Sequence, residues 1–243
     1  MTYNNYSISS GKGKLYLKSK EAKDGYEKVT YGTDNKVTYH KYVDSITGTL
    51  KYLDVKELDY QGKKLSFLEV TFIDGDDSNK ISVPLKNTKS NYTDEVKALV
   101  SALNTAEINE VYTLTPKKTV NVGKNGKEYT NISIYLNYVN RKGDNGKGLS
   151  TGYIAFEDIP KPEKEDDEDL GVTWNWKPVN KFYAQRLKEI QARFPSNNQQ
   201  TANSNDIPEQ TQTKPKATVE VKEPAPKKFE APLAEEEDDD LPF

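Results

Sequence analysis

The sequence predicts a mainly β body followed by a long polar tail, on three observations. Tyrosine-rich segments recur between glycine-bearing turns up to about residue 156, strong helical periodicity occurs once in that stretch, and the composition changes abruptly at Pro195. The 243 residues suffice for one substantial core and for one or two domains. Only 34% of them are hydrophobic while 30% are charged, so part of the chain is expected to lie outside any core.

Strand candidates in residues 1–156 are 14–18, 26–31, 36–43, 48–60, 65–74, 80–85, 109–115, 118–122, 127–139 and 150–156. They are separated by turn chemistry such as Gly11-Lys12-Gly13, Asp74-Gly75-Asp76-Asp77 and Gly123-Lys124-Asn125-Gly126. The clearest strand is 127–139, where Ile132, Ile134, Leu136 and Tyr138 alternate with Asn131, Ser133, Tyr135 and Asn137. That pattern buries one face and offers the other, which also carries Tyr129, to a ligand.

One helix is expected at about 92–104, capped by Asn91 or Thr93, with Val96, Leu99, Val100 and Leu103 forming a buried stripe. Three strands, a helix and two more strands is the order of an OB-fold, a five-stranded Greek-key barrel that binds oligonucleotides on one face and through its loops. The N-terminal strands and 150–156 are additions to it. The body, 1–156, is therefore expected to be an OB-fold nucleic-acid-binding domain.

Residues 157–173 read as an acidic, solvated linker. In the following element, 174–194, Trp174 and Trp176 precede a short helix after Pro178 on which Phe182, Leu187, Ile190 and Phe194 share a side. It is too small to fold alone and is expected to pack on the barrel or on another copy of the chain, which leaves a homo-oligomer open. Beyond it, 195–234 is rich in proline and polar residues and contains no glycine, a composition that cannot offset its ordering entropy and predicts a disordered linker. An acidic tip, 235–243, ends the chain.

The net charge of −3 conceals two opposed parts. Residues 1–156 carry 23 basic and 18 acidic side chains, against 12 and 20 in 157–243, so a basic body is joined to an acidic end. Only three of the 35 cations are arginine, which suits point-charge contacts to a phosphate backbone better than bidentate reading of guanine. The absence of cysteine excludes disulfides and thiolate chemistry, and one histidine, His40, cannot make a multi-histidine metal site. His40, between Tyr39 and Lys41, reads as a surface residue. Asp54 alternates away from Glu57 and Asp59, so these acids do not converge as a nuclease centre would require. Asp74 to Asn79 lacks the glycine and the glutamate of a calcium loop, and Gly123 to Gly126 lacks the Lys-Ser/Thr of a P-loop. The expectation is a non-enzymatic protein without cofactor, metal or membrane span, acting in the cytoplasm.

The last six residues, Asp238-Asp239-Asp240-Leu241-Pro242-Phe243, form a good peptide ligand. Phe243 can fill an apolar pocket, its carboxylate can meet a cation, Pro242 limits the ordering cost, and the acids attract a basic rim. This segment resembles the C-terminal tip of bacterial single-stranded DNA-binding proteins, and an acidic tail ending in phenylalanine also occurs in the T7-type phage single-stranded DNA-binding proteins. Residues 1–156 do not match the bacterial N-terminal sequence, which implies a divergent, phage-encoded member. The resemblance implies a protein that coats single-stranded DNA during replication, recombination and repair. It further implies that the tip recruits replication and recombination proteins of polymerase, helicase or primase type. The alternative is a structural or adaptor protein whose tail is its only functional ligand.

Sequence-tolerant strand binding needs cations along the backbone path and rings on which bases stack. The OB-fold order makes Tyr60 to Lys64 the first binding loop and Val122 to Tyr129 the loop between the last two strands. The expected stacking residues are Tyr60, Phe67, Tyr129 and Tyr135, and the expected phosphate contacts are Lys63, Lys64, Lys117, Lys118, Lys124 and Lys127.

Overall fold

The computed structural model describes residues 2–31, 36–60, 62–122, 126–143, 148–167 and 171–195. Ten strands form one open sheet: β1 (Thr2–Ser9), β2 (Lys14–Ser19), β3 (Glu27–Tyr31), β4 (Lys36–Val43), β5 (Ile46–Tyr60), β6 (Lys63–Asp74), β7 (Asp77–Pro84), β8 (Val111–Val122), β9 (Glu128–Lys142) and β10 (Gly148–Ser150). Their order across the sheet is β10-β9-β8-β5-β6-β7-β1-β2-β4-β3. β1 lies parallel to β7, and the other ladders of the sheet are antiparallel. Among the described residues the remaining elements are helix α1 (Asp94–Ala102), a 3₁₀ turn at Phe156–Asp158, a separate hairpin of β11 (Glu163–Asp167) and β12 (Gly171–Asn175), and helix α2 (Lys177–Gln191).

The mainly β class is as expected, whereas the closed five-stranded barrel is not what forms. β5, β6 and β7 make a meander, α1 follows, and β8 and β9 make a hairpin that returns to pair with the first residues of β5. Closure would bring β7 against β9, but β1 occupies the free edge of β7 and β10 that of β9. The sheet nevertheless curls until the start of β2 meets β8. There Gly13, with φ of +64°, sits so close that a Cβ would lie 2.3 Å from the Lys118 backbone nitrogen.

Most predicted strands form within a few residues of their expected bounds, and the differences have local causes. β1 went unpredicted because its alternation rests on Tyr6 and Ile8 alone among asparagine and serine. The break expected at Pro116 is absent: β5 pairs with β8 only from Val111 to Leu114, so beyond that point one edge of β8 has no ladder for proline to interrupt. Of the strand expected at 150–156, β10 takes only the first residue. The following segment is a strap on α1, with the Thr151 hydroxyl donating to the Ala102 carbonyl at 2.7 Å and the Ile154 N–H donating to Ser101 Oγ at 3.2 Å. Where a solvated acidic linker is expected, β11 forms and pairs with β12, which starts in that segment and runs on to Asn175, from Glu163–Asn175 to Asp167–Gly171.

The core lies on the face defined by Leu15, Leu53, Leu68, Val70, Phe72, Tyr112, Leu114, Ile134 and Leu136. A bulge near Lys51 lets the buried set of β5 change parity, from Leu50 to Leu53. Helix α1 covers this face with Val96, Leu99, Val100 and Leu103, the stripe its sequence spells. Thr93 caps it, accepting from the Val96 N–H at 3.3 Å, while Asp94 and Glu95 complement the helix dipole. Helix α2 packs against α1 and joins the same core through Val179, Tyr183, Leu187 and Ile190, with Phe194 buried just beyond its end. Phe182 is only partly buried, because the stripe runs at i, i+4, i+8 from Val179. Residues 196–243, with the predicted linker and tip, lie outside the described residues.

Candidate nucleic-acid interface

Strand alternation puts the side chains that are not in the core on one solvent face of the sheet. The register places Lys56 opposite Phe67, Ser82 opposite Glu69 and Tyr16 opposite Ser7, so residues from five adjacent strands meet there. They line a groove of about 660 Å³ across β5, β6, β7, β1 and β2, with Phe67 and Tyr16 as its rings, Lys56 and Lys80 as its cations, and Glu69 and, from α1, Glu95 as its acids. Glu69 is buried, held by Lys80 at 3.0 Å and Lys56 at 3.3 Å, so its charge is compensated within the groove.

Beyond the core the two long hairpins continue as exposed arms. In the β5–β6 arm, Lys63 and Lys64 are exposed near the tip, Lys64 opposite Asp59, and Leu58 and Leu65 form an exposed cross-strand pair at its root. Gly62 closes that turn with φ of +74°, its N–H donating to Asp59 Oδ1 at 3.2 Å. Because β8 passes the start of β5 while β6 pairs with its end, the β8–β9 arm leaves β5 from the opposite end.

On the β8–β9 arm, Lys117, Tyr129 and Tyr135 share the solvent face, since Lys117 pairs with Ser133 and Tyr129 with Asn121. The Lys117 ammonium lies 5.9 Å from the Tyr135 ring centroid, and Tyr153 meets Tyr135 edge-on at 6.1 Å. These rings line a second cleft of about 520 Å³ beside α1, together with Lys97 and the exposed Phe156. Lys118, across from Ile132, has the other parity and lies where Gly13 packs against β8. Lys127 is exposed just before β9.

The structure therefore joins Lys117, Tyr129 and Tyr135 on one arm, places Lys63 and Lys64 on the other, and puts Phe67 in the groove between β5 and β7. Lys124 and the Tyr60 side chain lie outside the described residues, as do Asp238, Asp239, Asp240, Leu241, Pro242 and Phe243.

Sequence reasoning missed Tyr16, Lys56 and Lys80, which become neighbours only through sheet order. It also placed His40 on the surface, where the structure buries it to 1% exposure. Tyr16 stacks on the imidazole at 4.2 Å and 14°, Tyr42 meets it edge-on at 5.8 Å, and Thr38 Oγ1 lies 3.2 Å from Nε2. A legible signal for this cluster was available: Lys12, Lys14, Tyr16, Lys18 and Lys20 occupy every second position around Leu15 and Leu17.

Asp54 faces Glu69 whereas Glu57 and Asp59 point to the other side, and among the described residues no three acidic or histidine side chains are grouped to hold a metal ion. No helix among the described residues is long and apolar enough to cross a membrane. Comparison with protein-family models, with curated proteins and with solved structures found no match.

Proposed function

We propose that this chain binds single-stranded DNA with little sequence preference, protecting it during replication, recombination and repair. The carrying observation is the groove, in which Phe67 and Tyr16 stand beside Lys56 and Lys80 on the solvent face of the sheet, between one arm bearing Lys63 and Lys64 and another bearing Lys117, Tyr129 and Tyr135. Rings in the groove and the exposed lysines of the arms, Lys63, Lys64 and Lys117, suit bases and phosphates of any sequence, because every base has a face to stack. The scarcity of arginine supports the same reading.

Residues 46–142 are best read as an OB-fold module opened between its third and fifth strands. The supporting pattern is a meander, a helix and a hairpin whose first strand returns to the start of the meander. The tip, Asp238 to Phe243, would recruit replication and recombination proteins, and the protein would act without catalysis or cofactor in the cytoplasm, that of the host cell if phage-encoded.

The test is fluorescence anisotropy of the full chain with oligo-dT and with duplex of equal length. The expected result is a strong preference for the single strand, with affinity falling as salt rises at a log–log slope near −0.7 per phosphate neutralised. No binding to either at low salt overturns the reading and leaves an adaptor acting through its tail.

A further inference from the structure

The excess positive charge of the body is not spread over it. Residues 1–43 hold eight lysines against four acidic residues, whereas 44–156 hold fifteen basic against fourteen acidic side chains. Within 44–156 the β8–β9 hairpin, 111–142, holds six basic side chains against one acidic and the β5–β6 hairpin, 46–74, four against five, so the cationic surplus is shared between β1–β4, the strands added before the meander, and the β8–β9 arm.

Strands β1–β4 also carry a cluster of rings, Tyr16, His40 and Tyr42, on the face turned away from Leu15. Tyr16 pairs with Tyr42 across the β2–β4 ladder, Lys18 pairs with His40, and the buried imidazole lies against the Tyr16 ring. Tyr16 and Tyr42 remain half-buried, their centroids 5.9 Å apart. Lys12 reaches over the Tyr42 ring at 3.9 Å from its centroid, and Lys14 stands on the same side of β2 as Tyr16 and Lys18. Packing on His40 fixes the orientation of the Tyr16 ring, which lowers the entropy lost when a base settles on it. Tyr16 is also a wall of the groove, so this face and the groove are continuous.

We infer that the outer face of β2 and β4 is a second contact zone for the same single-stranded polynucleotide. Tyr16 offers its ring to a base, and Lys12 and Lys18 meet phosphates. The inference rests on the single-strand reading above. It extends the path from the arm bearing Lys63 and Lys64 across Phe67 and Tyr16 to Tyr42, four inter-strand spacings between β6 and β4 or about 19 Å. An anionic polymer is the occupant that matches the charge: Lys12 and Lys14 already engage Glu27 and Asp44, and the zone is still cationic in sum.

The experiment uses the full chain and labelled oligo-dT, with Lys12→Ala/Lys18→Ala and Tyr16→Leu beside the reference Lys63→Ala/Lys64→Ala. Both lysine pairs are exposed, so the fold is retained, as circular dichroism will verify. Lys12→Ala/Lys18→Ala is expected to lower the log–log salt slope by about 1.4, two phosphates' worth. Tyr16→Leu should weaken binding about five- to hundred-fold, and Tyr16→Phe should restore it. An unchanged slope in Lys12→Ala/Lys18→Ala, with the wild-type chain binding normally, overturns the second zone and leaves the single-strand reading standing. A wild-type chain that ignores oligo-dT defeats both.

Discussion

The guanidinium of Arg193 donates a 2.7 Å hydrogen bond to the carbonyl oxygen of Asn104, 89 residues earlier in the chain. It also reaches the carbonyls of Leu103 at 3.1 Å and Ala106 at 3.4 Å, so a residue beyond α2 ties down the turn that follows α1 and places its charge near the favourable pole of the helix. At the other end of α2, Asn180 accepts from the Tyr92 N–H at 3.2 Å and donates to Asn91 Oδ1 at 2.8 Å. Polar bonds at both ends and an apolar stripe between them fasten α2 to the body.

Replacing Arg193 by methionine keeps the aliphatic stem and removes the donors. Because the residue is exposed, the expected loss is about 1 kcal/mol, at the low end for a charged hydrogen bond. A urea titration followed by tryptophan fluorescence measures it, and an unchanged midpoint would mean that water replaces the guanidinium at no cost.

Gly13 and Gly11 flank the same lysine and should respond in opposite ways to alanine. At Gly13 a methyl group would overlap the Lys118 backbone and φ is +64°, whereas Gly11 has open space around it. Gly13→Ala is expected to destabilise by about 2–3 kcal/mol or more through strain and displacement, and Gly11→Ala to change little. Equal thermal midpoints for the two variants would remove the contact between β2 and β8 from the account of the curled sheet.

Burial, with Lys18 and Lys12 nearby, holds the His40 imidazole below its ordinary pKa of 6.5. The unfolded chain therefore takes up a proton that the folded chain resists. Stability is full above about pH 6.5 and falls as the pH drops through the window between the unfolded and folded values. Urea midpoints at about pH 7.5 and about pH 5 should separate more for the wild-type chain than for His40→Gln. Identical separations would assign the acid sensitivity to other groups.

Tyr129 and Tyr135 lie on the solvent face of the β8–β9 arm, where truncation removes stacking surface and leaves the core intact. Tyr129→Ala/Tyr135→Ala is expected to weaken oligo-dT binding by about 1–3 kcal/mol for each base that loses its ring, with the thermal midpoint nearly unchanged. A folded double variant that binds normally takes this arm out of the interface.

Period-two alternation in 128–142, the stripe Val96, Leu99, Val100, Leu103 and the turn at Gly75 were legible because each is a local rule, satisfied by residues two to four positions apart. The uneven charge, the lysine-poor tip and the resemblance of the last six residues were equally plain, since they need no coordinates. What the sequence by itself determined was thus most of the strands between Lys14 and Lys142 and the face that the clearly alternating ones bury. Only the tertiary structure decided which strands are neighbours: that β1 lies parallel to β7, with Asn4 bonded to Asn79 75 residues away, that β7 and β9 stand apart, and that Tyr16 and Phe67 share a groove. The physical reason is that a strand's alternation specifies which side faces the core but not which edge it will pair with. Edge pairing is settled by where the whole sheet can curl and bury its apolar face, a property that no segment carries alone.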